Sequence, residues 1–396
     1  MASKKKSKLS RAIVAGLGYL TLNACLSMPL KGEHGAQGRA GDQIQRSLAD
    51  AASAYGSAYW ATKGAPVALI GSSLVVAPLW ASDVARGHFM KSFDHHHQSL
   101  HMQNQLWQHK ISKDVISLAT PGQFVSDTYL IVDKYFRGKQ KPSILIYGVA
   151  PRDFCDSTTD GIHTTIFDQL ASLSDMPKVK ELYLSTFDEH FNFILNRSIF
   201  LYHKRNRYQS KVEEAADKVA AKLFGPGKIA KNRALGGDTP FLMGTDHDKI
   251  WERSVAEYKE RYRQFNQKQF DKQKACFDAL LALCKERGIK LYVVAMPLTR
   301  DNMALMPEEL NSKFRETVTT LTAQHKVPFV DLATIGGYKD GDFYDTVHLS
   351  MVGGDRFINQ LSDIVESSEN GEPYSADLIT NKKMLAMPKG TTSPTY

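Results

Sequence analysis

The chain has 396 residues, 42% of them hydrophobic and 23% charged, which is enough apolar material for one large domain or two ordinary ones and excludes wholesale disorder. No period repeats along it, so collagen, coiled-coil and solenoid arrays are excluded as well. Fifty Lys and Arg against 42 Asp and Glu leave a net charge of +8, which suits an anionic membrane surface or an acidic glycan; no recognition motif supports nucleic acid.

Residues 1–30 read as an export signal or an anchor. Lys4, Lys5, Lys6, Lys8 and Arg11 form a basic head before the apolar run Ala12 to Leu22. That run is short of the roughly 20 residues a membrane span needs. Leu22-Asn23-Ala24-Cys25 resembles a bacterial lipobox, which implies lipidation of Cys25, although Asn23 departs from the usual residue there. Cleavage, lipidation and retention stay open, as does a cytosolic chain with a buried first helix. Either exported form keeps the basic end inside and sends the remainder outward, to the periplasm or cell surface. Four cysteines are too few for a disulfide framework. Cys276 and Cys284, in one expected helix, lie about 12 Å apart at the helical rise, too far to bridge.

Residues 31–64 form a linker and lead-in helix: Gly32 to Gly41 is glycine-rich, and Ile44, Leu48, Ala52, Tyr55 and Tyr59 follow helical spacing. Pro66 to Ile70 is a continuous apolar run stopped by Gly71, and Ser143 to Tyr147 stops at Gly148 in the same way. Lys290 to Met296 and Val327 to Leu332 complete the set. Such runs, separated by helical stretches, predict a parallel sheet covered on both faces. The long segment between the second and third runs reads as almost entirely helical. Trp251, Val255, Tyr258, Tyr262 and Phe265 set a helical face that Cys276, Leu280 and Cys284 resume, so a helix over 251–284 is expected against the sheet or a helical partner. The aromatic and basic stretch from Phe187 to Tyr208 reads as a core-facing helix with a solvated end, or as a surface for membrane or acidic glycan. Residues 225–244 read as a loop. The expected organisation is therefore a core over 65–155 and 285–368, a helical insertion over 156–284 and a loose tail over 369–396.

Three segments fall at strand ends, where open α/β sheets place their ligands. Gly71-Ser72-Ser73-Leu74 exposes a hydroxyl at the sheet's rim. Gly148 to Phe154 concentrates charge just past the second run. Asp345-Thr346-Val347-His348-Leu349 sets a carboxylate three residues before an imidazole. That spacing lets Asp345 reach His348 Nδ1–H, fixing the tautomer and stabilising the imidazolium. A serine near Nε2 then has the base its hydroxyl needs to attack. An ordinary turn at Ser73 and a surface ion pair at Asp345 and His348 are the plain structural readings of the same residues.

In order and spacing these segments resemble the SGNH/GDSL hydrolase superfamily, most of all its exported branch, which includes the lipoteichoic-acid D-alanylation and alginate O-acetylation proteins. The resemblance covers residues 65–155 and 285–366. It implies a flavodoxin-like, three-layer α/β/α fold with a parallel sheet, here carrying a large helical insertion. It also implies Ser73 as nucleophile, His348 as general base and Asp345 as its orienter, with Ser72 in place of the acid of the usual Gly-Asp-Ser. Gly122 fits the oxyanion glycine after the second strand. The Asn expected after the third strand is absent, and Ala150-Pro151-Arg152-Asp153 stands there. Arg152 either supplies oxyanion donors or forms an ion pair with Asp153 or a neighbour. No cofactor is implied.

His95, His96, His97, His101 and His109 read as an exposed polar helix in a lid. His97 and His101 have metal-sharing spacing, but only Asp94 stands near to complete a site, so no metal is assigned. The function expected is an exported serine acyltransferase or esterase acting on acyl groups of a cell-envelope polysaccharide or polymer, with a membrane acyltransferase as partner. The alternative is a weak or inactive protein of the same fold that binds glycan or scaffolds an export complex.

Overall fold

The computed structural model describes residues 65–88, 96–159, 165–184, 186–198 and 247–371. Cys25 and the export signal, the linker and lead-in helix, Asp94 and His95, the 225–244 loop and the tail past 371 lie outside the described residues. The described residues divide into two compact units. One holds 171–198, and the other holds 65–170 and 247–371.

The larger unit is built on five parallel strands. They are β1 (Val67–Gly71), β2 (Val115–Ser117), β3 (Ile144–Val149), β4 (Lys290–Ala295) and β5 (Phe329–Asp331), in the order β2-β1-β3-β4-β5. Every residue of β1, β2 and β3 is buried, as continuous Val, Ile and Leu runs require when both faces of a sheet are covered. The order reverses direction between β1 and β3, whose last paired residues are Gly71 and Gly148. A crevice for ligands opens at such a switch point.

The described helices are, in chain order, α1 (Ser73–Ala85), α2 (Leu100–Gln108), α3 (Val125–Tyr135), α4 (Thr165–Leu170), α5 (Met176–Leu182) and α6 (Phe187–Ser198). There follow α7 (His247–Arg261), α8 (Gln267–Glu286), α9 (Arg300–Leu305), α10 (Glu308–His325), α11 (Leu332–Ile335) and α12 (Met351–Glu369). Helices α1, α2 and α12 pack together, and α8 packs on α3 and α10, giving the three-layer α/β/α fold. α12 approaches α1 closely because Gly354 carries no side chain: a Cβ there would stand 2.8 Å from Pro78 O.

Two expectations need correction. The helix over 251–284 is two helices, because the chain turns after Arg261 and restarts behind Asn266, whose side chain caps α8 by accepting from Gln269 N at 3.1 Å. Both group with the sheet. Residues 96–99 are also not an exposed helix. His96 is only 1% exposed, with Nε2 3.1 Å from the buried Asp83 carboxylate, and Gln98 bridges Ile116 beside β2. Asp83 sets this path, since its oxygens also accept from Leu100 N and His101 N at the head of α2.

In the smaller unit, Arg197 spans 3.9 Å over the buried Phe193 ring and donates to Ala171 O at 2.9 Å. Phe187, Phe191 and Ile194 occupy the opposite, exposed face of α6. Over 187–198 only some of the aromatics are thus core-facing, because successive ones fall on different sides of the helix; residues 199–208 of that stretch lie outside the described residues.

Past β3 the chain is fastened by Phe154, fully buried with ring centroids 5.3 Å from Phe270, 5.8 Å from Phe277 and 5.6 Å from Phe314. That anchor on α8 and α10 fixes the turn carrying Arg152 and Asp153. Truncating it leaves a cavity in an aromatic cluster, so Phe154→Ala should lower stability by about 3–5 kcal/mol in chemical denaturation.

Candidate active site

Ser73 is the first residue of α1, directly after the glycine that ends β1. The strand turns into the helix at Gly71, where φ is +150° and a Cβ would lie 2.5 Å from Gly148 O, so a side chain fits neither the backbone conformation nor the space. The turn lifts Ser73 to partial exposure at the carboxyl rim of the sheet while Ser72 stays buried. As the first helical residue, Ser73 has an N–H without an intrahelical partner.

The structure brings Ser73, His348 and Asp345 together although 275 residues separate the serine from the imidazole. Ser73 Oγ lies 2.9 Å from His348 Nε2, and His348 Nδ1 lies 2.7 Å from Asp345 Oδ2. The second oxygen of Asp345 accepts from the backbone N–H of Val347 at 2.8 Å and of His348 at 2.7 Å. With Asp345 2% exposed, burial alone would raise its pKa. The His348 charge and ring, together with the two N–H donors, outweigh that and hold it below the ordinary carboxylate range. For His348 burial disfavours the charged form, but Asp345 reverses the balance and raises its pKa above the ordinary value.

The loop carrying the pair is clamped at Thr346. Ser254 Oγ of α7 lies 2.6 Å from Thr346 Oγ1 and accepts from Thr346 N at 3.3 Å. Thr299 Oγ1 donates to Thr346 O at 2.7 Å, and Asn302 Nδ2 donates to Thr346 Oγ1 at 3.3 Å. These four residues are buried. Sequence reading missed Ser254, Thr299 and Asn302, since a lone hydroxyl or amide on a helix carries no motif. Charges on α7 reach the site as well: Glu257 favours the protonated form of His348 and Arg261 opposes it.

Gly122 and Arg152 also meet. Gly122, at φ +76°, places its Cβ position 3.9 Å from Arg152 Nη2. Its loop runs beside the turn that carries Ser73, with Thr120 N donating to Gly71 O at 3.0 Å. Arg152 donates from Nη1 to Gln123 O at 3.3 Å and from Nε to Asp156 at 3.1 Å, and stacks 4.4 Å over the Phe124 ring. The ion-pair reading of this arginine holds, mainly to Asp156 and more distantly to Asp153 at 3.7 Å, in a side chain that stands beside Gly122. Asp156 also pairs with Arg261 at 2.5 Å, tying the β3 turn to α7. Burial pushes the Asp153 carboxyl up to about 7, against the opposing pull of Arg152 and of the Ala150 N–H and Ser72 hydroxyl that it accepts.

The remaining histidines do not converge. His97 Nδ1 contacts Ser117 O at 2.9 Å, whereas His101 Nε2 lies 3.2 Å from Gln105 Nε2, and His109 pairs with Glu366. Among the described residues no group of three His, Cys, Asp or Glu could hold a metal ion.

Two measurements check this geometry. His348 should titrate above 6.5 in imidazole NMR, and Asp345→Asn should move it below 6.5, because burial then acts without the opposing carboxylate. Ser254→Ala strips a buried partner from Thr346 and should cost about 1–3 kcal/mol of unfolding free energy.

Among solved structures, the crystal structure of the lipase/acylhydrolase from Enterococcus faecalis aligns with 76% of this chain and 96% of its own, at 12% identity and a TM-score of 0.36. No curated protein matches. A family model described as "Protein of unknown function (DUF1574)" matches residues 98–361, taking in Gly122, Arg152, Asp345 and His348 and beginning after Ser73. That match spans two thirds of the sequence, and the chain belongs to this family.

Proposed function

We propose that the chain is an exported serine acyl-transfer enzyme, an O-acyltransferase or esterase working on a cell-envelope polymer. One observation carries the reading: a partly exposed serine hydroxyl 2.9 Å from an imidazole that is itself held at 2.7 Å by a buried carboxylate. Few structural needs call for that relay of contacts at the carboxyl rim of a parallel sheet. Base catalysis of hydroxyl attack does.

In this mechanism Ser73 Oγ attacks an acyl carbonyl while its proton passes to His348 Nε2. Asp345 stabilises the imidazolium so formed. The carbonyl oxygen, now negative, is met by the N–H groups of Ser73 and Gly122 and by the Arg152 guanidinium. Collapse breaks the ester bond, and His348 returns its proton to the departing alcohol. The acyl group on Ser73 is then taken by a hydroxyl of the acceptor or by water, with His348 again the base. An arginine in that role supplies charged N–H donors where an amide would supply neutral ones, with part of its charge balanced by Asp156.

The export and envelope parts rest on the basic head and apolar run of residues 1–30, with Cys25 as the lipidation site. No helix among the described residues is long and apolar enough to cross a membrane. The net charge of +8 suits work beside anionic lipid or an acidic glycan acceptor, with a membrane acyltransferase as the source of the acyl group.

A fluorophosphonate probe tests the reading. The wild-type protein should label covalently and Ser73→Ala should not, while His348→Ala should slow labelling at least a hundredfold. Absence of labelling on folded wild-type protein would favour the non-catalytic alternative, a glycan-binding or scaffolding protein.

A further inference from the structure

Both ends of one face of α7 touch residues of the site. Ser254 Oγ stands 2.6 Å from Thr346 Oγ1, in the loop that carries Asp345 and His348. Arg261, about two turns further along, pairs at 2.5 Å with Asp156 Oδ2, the oxygen that Arg152 Nε also contacts at 3.1 Å. The face thus runs from the imidazole loop to the turn that sets Arg152 beside Gly122.

Tyr258 occupies the middle of that face, four residues after Ser254 and three before Arg261, spacings that align side chains on one side of a helix. It is 8% exposed. Its ring packs 5.5 Å from the Tyr262 ring and 5.8 Å from the Arg261 guanidinium. The Tyr262 hydroxyl donates to Asn302 at 3.4 Å, whereas nothing among the described residues hydrogen-bonds the Tyr258 hydroxyl. A buried hydroxyl without a partner destabilises a fold, so this one is set for a partner that enters from solution. Burial pushes the phenol above its ordinary pKa, against the pull of Arg261 and Arg152 and with Asp345 and Glu257 adding to the rise. It stays a neutral O–H donor wherever His348 can act as a base. Arg152 and Asp345, one from each half of the site, both lie within its electrostatic reach.

We propose that Tyr258 is a catalytic residue whose hydroxyl donates to the acyl carbonyl oxygen as Ser73 attacks and that oxygen turns negative. The inference rests on the acyl-transfer reading above and goes beyond it by bringing α7 into the chemistry. Arg152 meets the same oxygen with part of its fork already committed, Nε to Asp156 and Nη1 to Gln123 O. A phenol on the neighbouring helix adds a donor that no carboxylate occupies. In the step, the Ser73 Oγ–carbon bond forms, the carbonyl π pair moves onto oxygen and the serine proton passes to His348 Nε2. Tyr258 keeps its own proton and shares it with the oxyanion in a hydrogen bond. That bond strengthens as charge develops, so it lowers the barrier more than it tightens ground-state binding.

The test compares full-length wild-type and Tyr258→Phe proteins with p-nitrophenyl acetate. The substitution keeps the ring and removes only the hydroxyl, so the melting temperature should stay within about 2 °C. Losing an oxyanion donor should lower kcat and kcat/KM together, roughly a hundredfold, with KM within threefold. A second measurement does not depend on turnover. Phenylboronic acid takes the Ser73 oxygen as a fourth ligand on boron, a stable likeness of the tetrahedral state. Tyr258→Phe should bind it at least tenfold more weakly, and Ser73→Ala should not bind it. A fall in kcat smaller than tenfold, or equal boronate affinity in the two proteins, overturns the inference. So does a rise in KM at unchanged kcat, or a lowered melting temperature at unchanged kcat, which would make the hydroxyl a ground-state or structural contact. In those cases Ser73-dependent turnover by the wild type still upholds the acyl-transfer reading. A wild type with neither Ser73-dependent turnover nor Ser73-dependent boronate binding overturns that reading, and the role of Tyr258 with it.

Discussion

A carboxylate taken out of water must be repaid in hydrogen bonds, and Asp345 sets the terms for everything around it. Three N–H groups converge on it within one short turn: two from the backbone that follows and one from the His348 ring. The turn therefore has one conformation that satisfies the charge, and in that conformation the imidazole's far nitrogen points at Ser73. Orientation of the ring and stabilisation of its protonated form come from the same contact. Neither would survive replacement of the carboxylate by a side chain that merely filled the space.

The opposite half of the site depends on what is missing. Gly71 and Gly148 sit side by side at the strand ends, and each has a place where a Cβ would collide with a neighbour's backbone or side chain. Their bareness lets the chain turn sharply into α1 and lets Val75 and Met296 close over β3. Ser72 brings no charge to this turn, and a carboxyl stands beside it from another direction as Asp153, buried against Ser72 and Arg152. Charge beside the Gly71–Ser73 turn is supplied by the segment after β3, in Asp153 and Arg152.

How much of this was legible follows from what each element needs from its residues. β1, β3 and β4 announce themselves as apolar runs ending at Gly or Pro, because strands buried on both faces must be continuously hydrophobic. β2 has three residues and no run to see. Ser73, Asp345 and His348 could be paired across the chain because their chemistry makes sense only together. Ser254, Thr299 and Asn302 could not, since a buried hydroxyl or amide earns its place through a partner distant in sequence and nothing local marks it. The break after Arg261 was hidden for a related reason: the apolar spacing resumes past it, so the pattern reads through a turn that only Asn266 marks. His96 misled because histidine is read as polar, whereas here it is enclosed against Asp83.

The clamp at Thr346 also governs when the site can exist during folding. It joins positions 254, 299 and 346, and the hydroxyl it serves lies at 73, so every one of these contacts closes a large loop. Contacts of such wide separation form late, after their entropy cost has been met by the sheet and its covering helices. A partly folded chain can thus hold most of its sheet and still lack the contact between Ser73 and His348. The surroundings of Ser73 Oγ are completed by residues far along the chain, so the line of hydroxyl, imidazole and carboxylate belongs only to molecules that have finished folding.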